Sequence, residues 1–158
     1  MSTPRPPRPG EEAIEPPAAA DAGVYFTGRI RTPFATGADC PKNGRECDAQ
    51  AVIEIDPRYA GGLLDIERCS HLIVLYWMDE ARRDLIRQVP AHLGKPRGTF
   101  ALRSPVRPNP IALSVVELVA VEDNRLTVRH IDCRDGTPLI DIKPYYASTD
   151  SFPGARRP

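Results

Sequence analysis

The sequence predicts a mainly β protein, a small antiparallel β-barrel with one or two short helices. Short β-branched and apolar segments recur along the chain, turns rich in Pro, Gly and Asn separate them, and only one segment has a helical apolar period. Strands that do not alternate with helices favour antiparallel pairing over βαβ units. At 158 residues, the chain has the length of one domain.

The N-terminal segment, residues 1–21, differs in composition from the rest of the chain. Six of the 18 prolines lie before Asp21, and Ile14 is its only large aliphatic residue. Such a segment cannot bury enough apolar surface to offset the entropy of ordering it. The sequence therefore predicts a flexible Pro-rich tail over residues 1–21, a domain over residues 22–150 and a short tail over residues 151–158.

The predicted strands are short, rich in β-branched or aromatic residues and bounded by turn residues. Leu72–Met78 is continuously apolar, which is typical of a strand buried on both faces. Asp123-Asn124 predicts a hairpin turn, and Asp135-Gly136 predicts a second turn with positive φ. The other predicted strands are Val24–Ile30, Ala51–Ile55, Thr99–Leu102, Ile111–Val121, Leu126–Val128 and Leu139–Ile142.

Glu80–Val89 is the one stretch that predicts an α-helix. Ala81, Leu85 and Val89 recur every four residues, Asp79 is a suitable N-cap, and Pro90 ends the pattern.

Several classes of site are absent from the sequence. It contains neither of the two common Gly-rich phosphate-binding motifs and no G-x-S-x-G elbow. Cys40 and Cys47 lack a second Cys pair or a paired His, so no metal site is predicted. No secretory signal is evident, and the apolar run at Leu72–Met78 is too short to span a bilayer. We therefore expect a cytoplasmic protein with reduced thiols and no membrane segment.

Two segments carry polar side chains in positions that are hard to explain as scaffold. In Arg103–Pro110, three prolines stiffen a turn that displays two guanidinium groups, an arrangement suited to a carboxylate or phosphate. In Asp132–Tyr145, Asp141 and Lys143 lie two residues apart on one strand face, and Tyr145 continues that face if the strand extends past Pro144, which suggests a polar pocket. The alternatives are a Pro-rich crossover with solvated arginines and an exposed edge strand carrying an ion pair.

Charge is balanced overall but uneven along the chain. Lys+Arg and Asp+Glu number 21 each, whereas residues 80–107 contain seven basic residues and two acidic ones. Such a basic sector can bind nucleic acid, although a solvated helix face explains three of its arginines equally well.

Motifs in these segments closely resemble the TrmO (TsaA-like, YaeB-like) family. The matching residues span Val24 to about Asp150 and lie in family order. They are Gly28-Arg29-Ile30-Arg31-Thr32-Pro33, Ser70-His71-Leu72, Phe100, Arg103-Ser104-Pro105, Arg107-Pro108-Asn109-Pro110-Ile111, Leu113-Ser114, Asp135-Gly136-Thr137-Pro138 and Asp141-Ile142-Lys143-Pro144-Tyr145.

The resemblance implies a β-barrel methyltransferase that uses S-adenosylmethionine and works as a homodimer, with the cofactor near the subunit interface. The implied reaction methylates N6 of N6-threonylcarbamoyladenosine beside the anticodon of tRNA. By the same resemblance, the cofactor contacts are Pro41, Lys42, Asn43, Met78, Asp79, Arg103, Leu113, Asp132, Cys133, Arg134, Asp135 and Gly136.

The residues expected around the methyl acceptor are Asn109, Asp141, Lys143 and Tyr145, and the substrate contacts are Arg107, Arg97 and Lys95. Ala112 stands where the family usually has the glycine of Pro-Ile-Gly. Two other functions therefore stay open: methylation of a small molecule, and a non-catalytic module that binds RNA or senses the cofactor.

Overall fold

The structure, a computed structural model, describes residues 5–158 and divides the chain into two compact units. The barrel unit comprises Val24–Trp77 and Leu113–Arg157. The second unit comprises the described residues up to Gly23 together with Met78–Ala112 and Pro158. The sequence treats residues 22–150 as one domain, and residues 1–4 of its predicted tail lie outside the described part of the chain.

Strands are the main regular elements of residues 5–158. They are β1 (Glu12–Ala13), β2 (Gly28–Arg31), β3 (Gln50–Ile55), β4 (His71–Trp77), β5 (Leu85–Gln88), β6 (Arg97–Gly98), β7 (Ile111–Glu122), β8 (Arg125–Arg129) and β9 (Thr137–Pro144). The helices are short: 3₁₀ helices at Gly44–Glu46, Pro57–Leu63, Ile66–Arg68 and Thr99–Ala101, and the single-turn α1 (Ala147–Asp150). None of these helices is long and apolar enough to cross a membrane.

A closed barrel forms from the longer strands in the order β2-β3-β8-β7-β4-β9. The pairs β2–β3, β2–β9, β3–β8, β4–β9 and β7–β8 are antiparallel. The predicted mainly β fold with an antiparallel barrel is confirmed. Both predicted turns are also present, since Asp123 has φ of 53° in the β7–β8 hairpin and Gly136 has φ of 77° before β9.

Side chains that are alternately buried and half-buried along the strands define the barrel core. Leu72, Val74 and Tyr76 of β4 are buried, whereas Ile73, Leu75 and Trp77 are only half-buried. The prediction that this strand is buried on both faces is therefore wrong for one face. A fully buried aliphatic core fills the interior, with Ile30, Ile53, Leu126, Val128, Val116 and Leu139 among its members.

The second unit contains a three-stranded sheet in the order β1-β5-β6. The N-terminal segment runs along β5: the Ile14 N–H donates to the Asp84 carbonyl at 2.8 Å, and Glu12 pairs with Arg87 at 2.9 Å. This backbone bond and this side-chain ion pair were not expected from a segment so rich in proline, which the sequence predicts to be a flexible tail.

The helix predicted at Glu80–Val89 is wrong. A turn and strand β5 occupy these residues, with Leu85 and Gln88 buried. Arg82 and Asp84 form a 2.7 Å ion pair at i, i+2, a spacing that a helix does not bring together. Pairing of β5 with both β1 and β6 supplies backbone bonds that override the helical pattern.

The strand predicted at Thr99–Leu102 is also wrong, because Thr99–Ala101 forms a 3₁₀ helix. Thr99 is buried and its hydroxyl donates to the Leu85 carbonyl at 2.9 Å. The Thr99 carbonyl accepts from the Leu102 N–H at 3.1 Å, which closes the turn.

Candidate functional site

Two loops of the barrel unit pack against each other: the β2–β3 loop, residues 32–49, and the β8–β9 loop, residues 130–136. The Thr32 hydroxyl donates to the Cys133 carbonyl at 3.0 Å, and the Thr32 N–H donates to the Asp135 carboxylate at 3.1 Å. The Asp135 N–H in turn donates to the Phe34 carbonyl at 2.7 Å. The two loops are thus joined through their backbones as well as their side chains.

Gly44 fixes the middle of the β2–β3 loop against the β8–β9 loop. A Cβ at this position would overlap the carbonyl oxygen of His130, so the contact requires glycine. Asn43 caps the 3₁₀ helix that follows, and its Oδ1 accepts from the Arg45 N–H at 3.0 Å. The predicted cofactor residues Pro41–Asn43 immediately precede this point.

A tyrosine of barrel strand β4 holds the Asp132 side chain in place. The Tyr76 hydroxyl donates to Asp132 Oδ1 at 2.9 Å and lies 2.9 Å from the Ser114 hydroxyl. Burial, and then the neighbouring carboxylate, raise the pKa of Tyr76 well above its ordinary value, so the phenol stays a neutral donor. This bond orients one Asp132 oxygen.

The remainder of the β8–β9 loop is anchored to β2. The Gly136 N–H donates to the Ile30 carbonyl at 2.9 Å, and Arg29 Nη1 donates to the Gly136 carbonyl at 2.9 Å. The Thr137 hydroxyl donates to the Arg134 carbonyl at 2.7 Å. The Asp135 carboxylate serves this internal bonding, which makes Asp132 the better candidate for a ligand contact.

Cys133 is fully buried between these anchors, and desolvation raises the pKa of its thiol from 9.0 to about 12. The thiol is therefore a neutral packing group at physiological pH rather than a nucleophile.

This shift predicts a loss of stability in alkali. Between pH 9 and pH 12 the unfolded chain has lost the Cys133 proton and the folded chain keeps it, so the free energy of unfolding falls as pH rises, by at most about 1.4 kcal/mol per pH unit. Urea unfolding at a series of pH values should show this fall in the wild type and a shallower one in Cys133→Ala. Equal slopes in the two proteins would contradict the assignment.

Asp141 and Lys143 lie two residues apart on β9, and Tyr145 lies just beyond the end of this strand at Pro144. Lys143 Nζ lies 2.6 Å from Asp141 Oδ2, and both side chains are exposed to a large degree, 59% and 44%. A register shift between Leu75 and Tyr76 of β4 changes the alternation of β9, so Leu139 is buried whereas Asp141 pairs with the half-buried Leu75. Asp141 and Lys143 therefore lie side by side as an ion pair, whereas the strand that was expected to carry Tyr145 on the same face ends at Pro144. Strand β9 is an internal barrel strand and not an edge.

The remaining predicted residues near the acceptor and cofactor lie in the second unit. Asn109 is exposed, its side-chain oxygen accepts from Arg83 Nη2 at 3.3 Å, and its carbonyl accepts from the Ile111 N–H at 2.7 Å. The Met78 N–H donates to the Pro110 carbonyl at 2.9 Å. Asp79 and Arg103 are exposed in the same unit.

Most of the basic sector is used in structural contacts. Arg82 pairs with Asp84 and Arg87 with Glu12, while Arg83 Nε donates to the Pro108 carbonyl at 2.6 Å. Arg107 Nη2 donates to the carbonyls of Thr99 and Leu102 at 2.9 Å and 2.6 Å. Lys95 is exposed, and Arg97 is half-buried in β6.

The structure thus places the loop that carries Pro41–Asn43 beside the loop that carries Asp132–Gly136. Leu113, the other predicted cofactor residue of the barrel unit, is 43% exposed on β7 and precedes Ser114, which lies 2.9 Å from the Tyr76 hydroxyl. Sequence reasoning missed the residues that position these loops, namely Tyr76, Ser114, Gly44 and Arg29. Two signals were available in the sequence. Tyr76 places a hydroxyl group in an apolar strand, and Arg29 and Ser114 belong to family motifs to which no role was assigned. A separate cavity of about 440 Å³ in the barrel unit, lined by Phe26, Glu54 and Asn124 among others, contains none of the predicted site residues.

The family model described as the tRNA-methyltransferase O N-terminal domain matches residues 29–151. The chain belongs to this family. Among curated relatives, an S-adenosyl-L-methionine-binding protein of Archaeoglobus fulgidus is 52% identical over 123 residues, 78% of this chain and 88% of the relative. The Rhizobium radiobacter protein named "Probable S-adenosyl-L-methionine-binding protein VirR" is 44% identical over 137 residues, 87% of this chain and 78% of that relative.

Solved structures of TrmO have a similar fold. A crystal structure of TrmO from Pseudomonas aeruginosa is 33% identical with a TM-score of 0.73, over 87% of this chain and 62% of that one. A second TrmO crystal structure gives 32% identity and a TM-score of 0.74, over 87% of this chain and 64% of that one. The chain therefore spans less than two thirds of these solved proteins.

Proposed function

We propose that the β2–β3 and β8–β9 loops bind S-adenosylmethionine and that the chain methylates N6 of N6-threonylcarbamoyladenosine beside the anticodon of tRNA. The observation that carries the proposal is the junction of these two loops, because it joins the segments Pro41–Asn43 and Asp132–Gly136 that the family resemblance assigns to the cofactor. The names of the curated relatives supply the cofactor, and the family description supplies tRNA as the substrate.

The donors and acceptors of these loops fit this cofactor. S-Adenosylmethionine carries an ammonium group, ribose hydroxyls and an adenine amine, all of which donate hydrogen bonds. Asp132 supplies a carboxylate acceptor that Tyr76 holds in one orientation. We assign Arg103 to the carboxylate of the cofactor, a pairing that a forked guanidinium favours. When bound, the cofactor supplies a methyl group whose C–S bond breaks as the C–N bond to the acceptor forms.

The acceptor side needs alignment more than base strength, because the N6 proton can leave to water after transfer. Asn109 or Asp141 would accept a hydrogen bond from the N6–H and direct the nitrogen lone pair. Lys143 or Arg107 would bind the threonyl carboxylate. Of these two, Lys143 is the more accessible, since its side chain is 59% exposed whereas Arg107 is half-buried and its Nη2 already donates to two backbone carbonyls.

We further propose a cytoplasmic homodimer. The family resemblance supports this proposal, and Leu113 and Val119, whose side chains are 43% and 40% exposed on β7, are the candidate contact residues.

The test uses purified protein, labelled S-adenosylmethionine and two forms of one ACN-reading tRNA, with and without threonylcarbamoyl at the target adenosine. We expect label in the modified tRNA alone, with mass spectrometry of the nucleosides locating it at threonylcarbamoyladenosine. A protein that binds the cofactor but transfers no methyl group to the modified tRNA would contradict the proposal. Transfer to a small molecule, or binding with no transfer to any acceptor, would then select between the two other functions.

A further inference from the structure

Phe100 has the most exposed large apolar side chain within residues 5–158. Its ring is 87% exposed, on the 3₁₀ helix Thr99–Ala101 of the second unit. The preceding residue, Thr99, is only 1% exposed. The turn therefore directs one side chain into the unit and the next one, an aromatic ring, into solvent.

Hydrogen bonds from buried and half-buried side chains fix the turn that presents this ring. The buried Gln88 donates through Nε2 to the Thr99 hydroxyl at 2.8 Å and to the Val106 carbonyl at 2.6 Å. The Thr99 hydroxyl in turn donates to the Leu85 carbonyl, and Arg107 Nη2 donates to the carbonyls of both Thr99 and Leu102. A ring on such an anchored turn is pre-organised, so little entropy is lost when a ligand contacts it.

The sequence on both sides of Phe100 carries charge of one sign. No Asp or Glu occurs between Asp84 and Glu117, whereas Lys95, Arg97 and Arg103 lie within five residues of Phe100. Asp84, which precedes the Leu85 carbonyl that accepts from Thr99, already pairs with Arg82. A partner of this surface is therefore expected to be anionic.

We propose that Phe100 is a stacking platform for an unpaired base of an RNA loop, with Lys95 and Arg97 contacting its phosphates. Single-stranded nucleic acid is recognised by this combination of an exposed aromatic ring and neighbouring cations. A single ring among basic residues is less suited to a protein partner, which requires a broader apolar patch. The inference rests on the proposed function, in which the acceptor lies in an anticodon loop.

The experiment measures binding of a labelled anticodon stem–loop RNA by fluorescence anisotropy across a range of salt concentrations. Phe100→Ala should weaken binding about 5- to 100-fold, the amount expected for one lost stacked base. Phe100→Trp should restore affinity, because any flat aromatic ring can stack. The matched control is Phe152→Ala, which removes another exposed ring (74%) from the barrel unit and should bind like the wild type.

Salt dependence separates stacking from charge. Phe100→Ala should leave the slope of log K against log salt unchanged, whereas Lys95→Gln should reduce it by about 0.7. Unchanged affinity in Phe100→Ala, with the wild type binding RNA, would overturn this inference and leave the proposed function standing. If the wild type binds S-adenosylmethionine but no RNA, the tRNA proposal fails as well.

Sedimentation of the same variants tests the competing partner, a second copy of the chain. We expect Phe100→Ala to have the oligomeric state of the wild type. A change to a smaller species with RNA affinity retained would assign the ring to a subunit interface and overturn the stacking role.

Discussion

Asp132→Asn is expected to weaken S-adenosylmethionine binding about 10- to 100-fold, the amount lost when a hydrogen bond to a charged group is removed. Asparagine preserves the shape of the side chain and can still accept from the Tyr76 hydroxyl, so the β8–β9 loop keeps its anchor. What the variant loses is the negative charge that we propose interacts with the donors of the cofactor. Isothermal calorimetry of the purified variant measures the change.

The matched control is Asp123→Asn in the β7–β8 hairpin. Asp123 has φ of 53°, a conformation that asparagine adopts as readily as aspartate, and it is no part of the candidate site. The control should bind the cofactor as tightly as the wild type does. Equal affinities for Asp132→Asn and the wild type would remove the Asp132 carboxylate from the site.

Gly44→Ala is expected to lower both the stability of the protein and its affinity for the cofactor. The added Cβ would overlap the His130 carbonyl, so either the β2–β3 loop or the end of β8 must move. Overpacking of this kind costs about 1–3 kcal/mol, and each kcal/mol lowers Tm by about 2–4 °C in a protein of this size. Displacement of Pro41–Asn43 should in addition weaken cofactor binding about 10-fold or more, the loss of one or two hydrogen bonds.

Gly37→Ala provides the control within the same loop. A Cβ at Gly37 meets nothing within 4 Å, so the variant should match the wild type in thermal unfolding and in calorimetry. If Gly44→Ala loses stability but keeps full cofactor affinity, the loop junction serves folding alone, and the proposed role of Pro41–Asn43 in binding is contradicted.

The barrel was predictable because its strands are apolar, β-branched and bounded by turn residues that the structure uses as turns. Asp123 and Gly136 show this most clearly, since both have positive φ, which glycine adopts freely and aspartate tolerates better than most residues. Glu80–Val89 was misread because only Leu85 of its three periodic apolar residues lies in β5, where the other buried residue is the polar Gln88. Its pairing with β1 depends on a Pro-rich segment whose composition shows no strand signal.

The candidate site was predictable only in pieces. Motif resemblance selects Pro41–Asn43 and Asp132–Gly136, but their meeting depends on barrel closure, which places the β2–β3 loop beside the β8–β9 loop. The bond from Tyr76 to Asp132 joins residues 56 positions apart, and no local pattern indicates it. The outward face of Asp141 likewise follows from a register shift against β4 that the sequence does not reveal.

A crystal structure of this chain with S-adenosylhomocysteine, the product of methyl donation, is the most direct test of the cofactor site. We predict electron density for the ligand in contact with Pro41–Asn43 and Asp132–Gly136, with a donor group of the ligand on the Asp132 carboxylate. Density in the cavity of about 440 Å³ lined by Phe26, Glu54 and Asn124, away from both loops, would contradict the account.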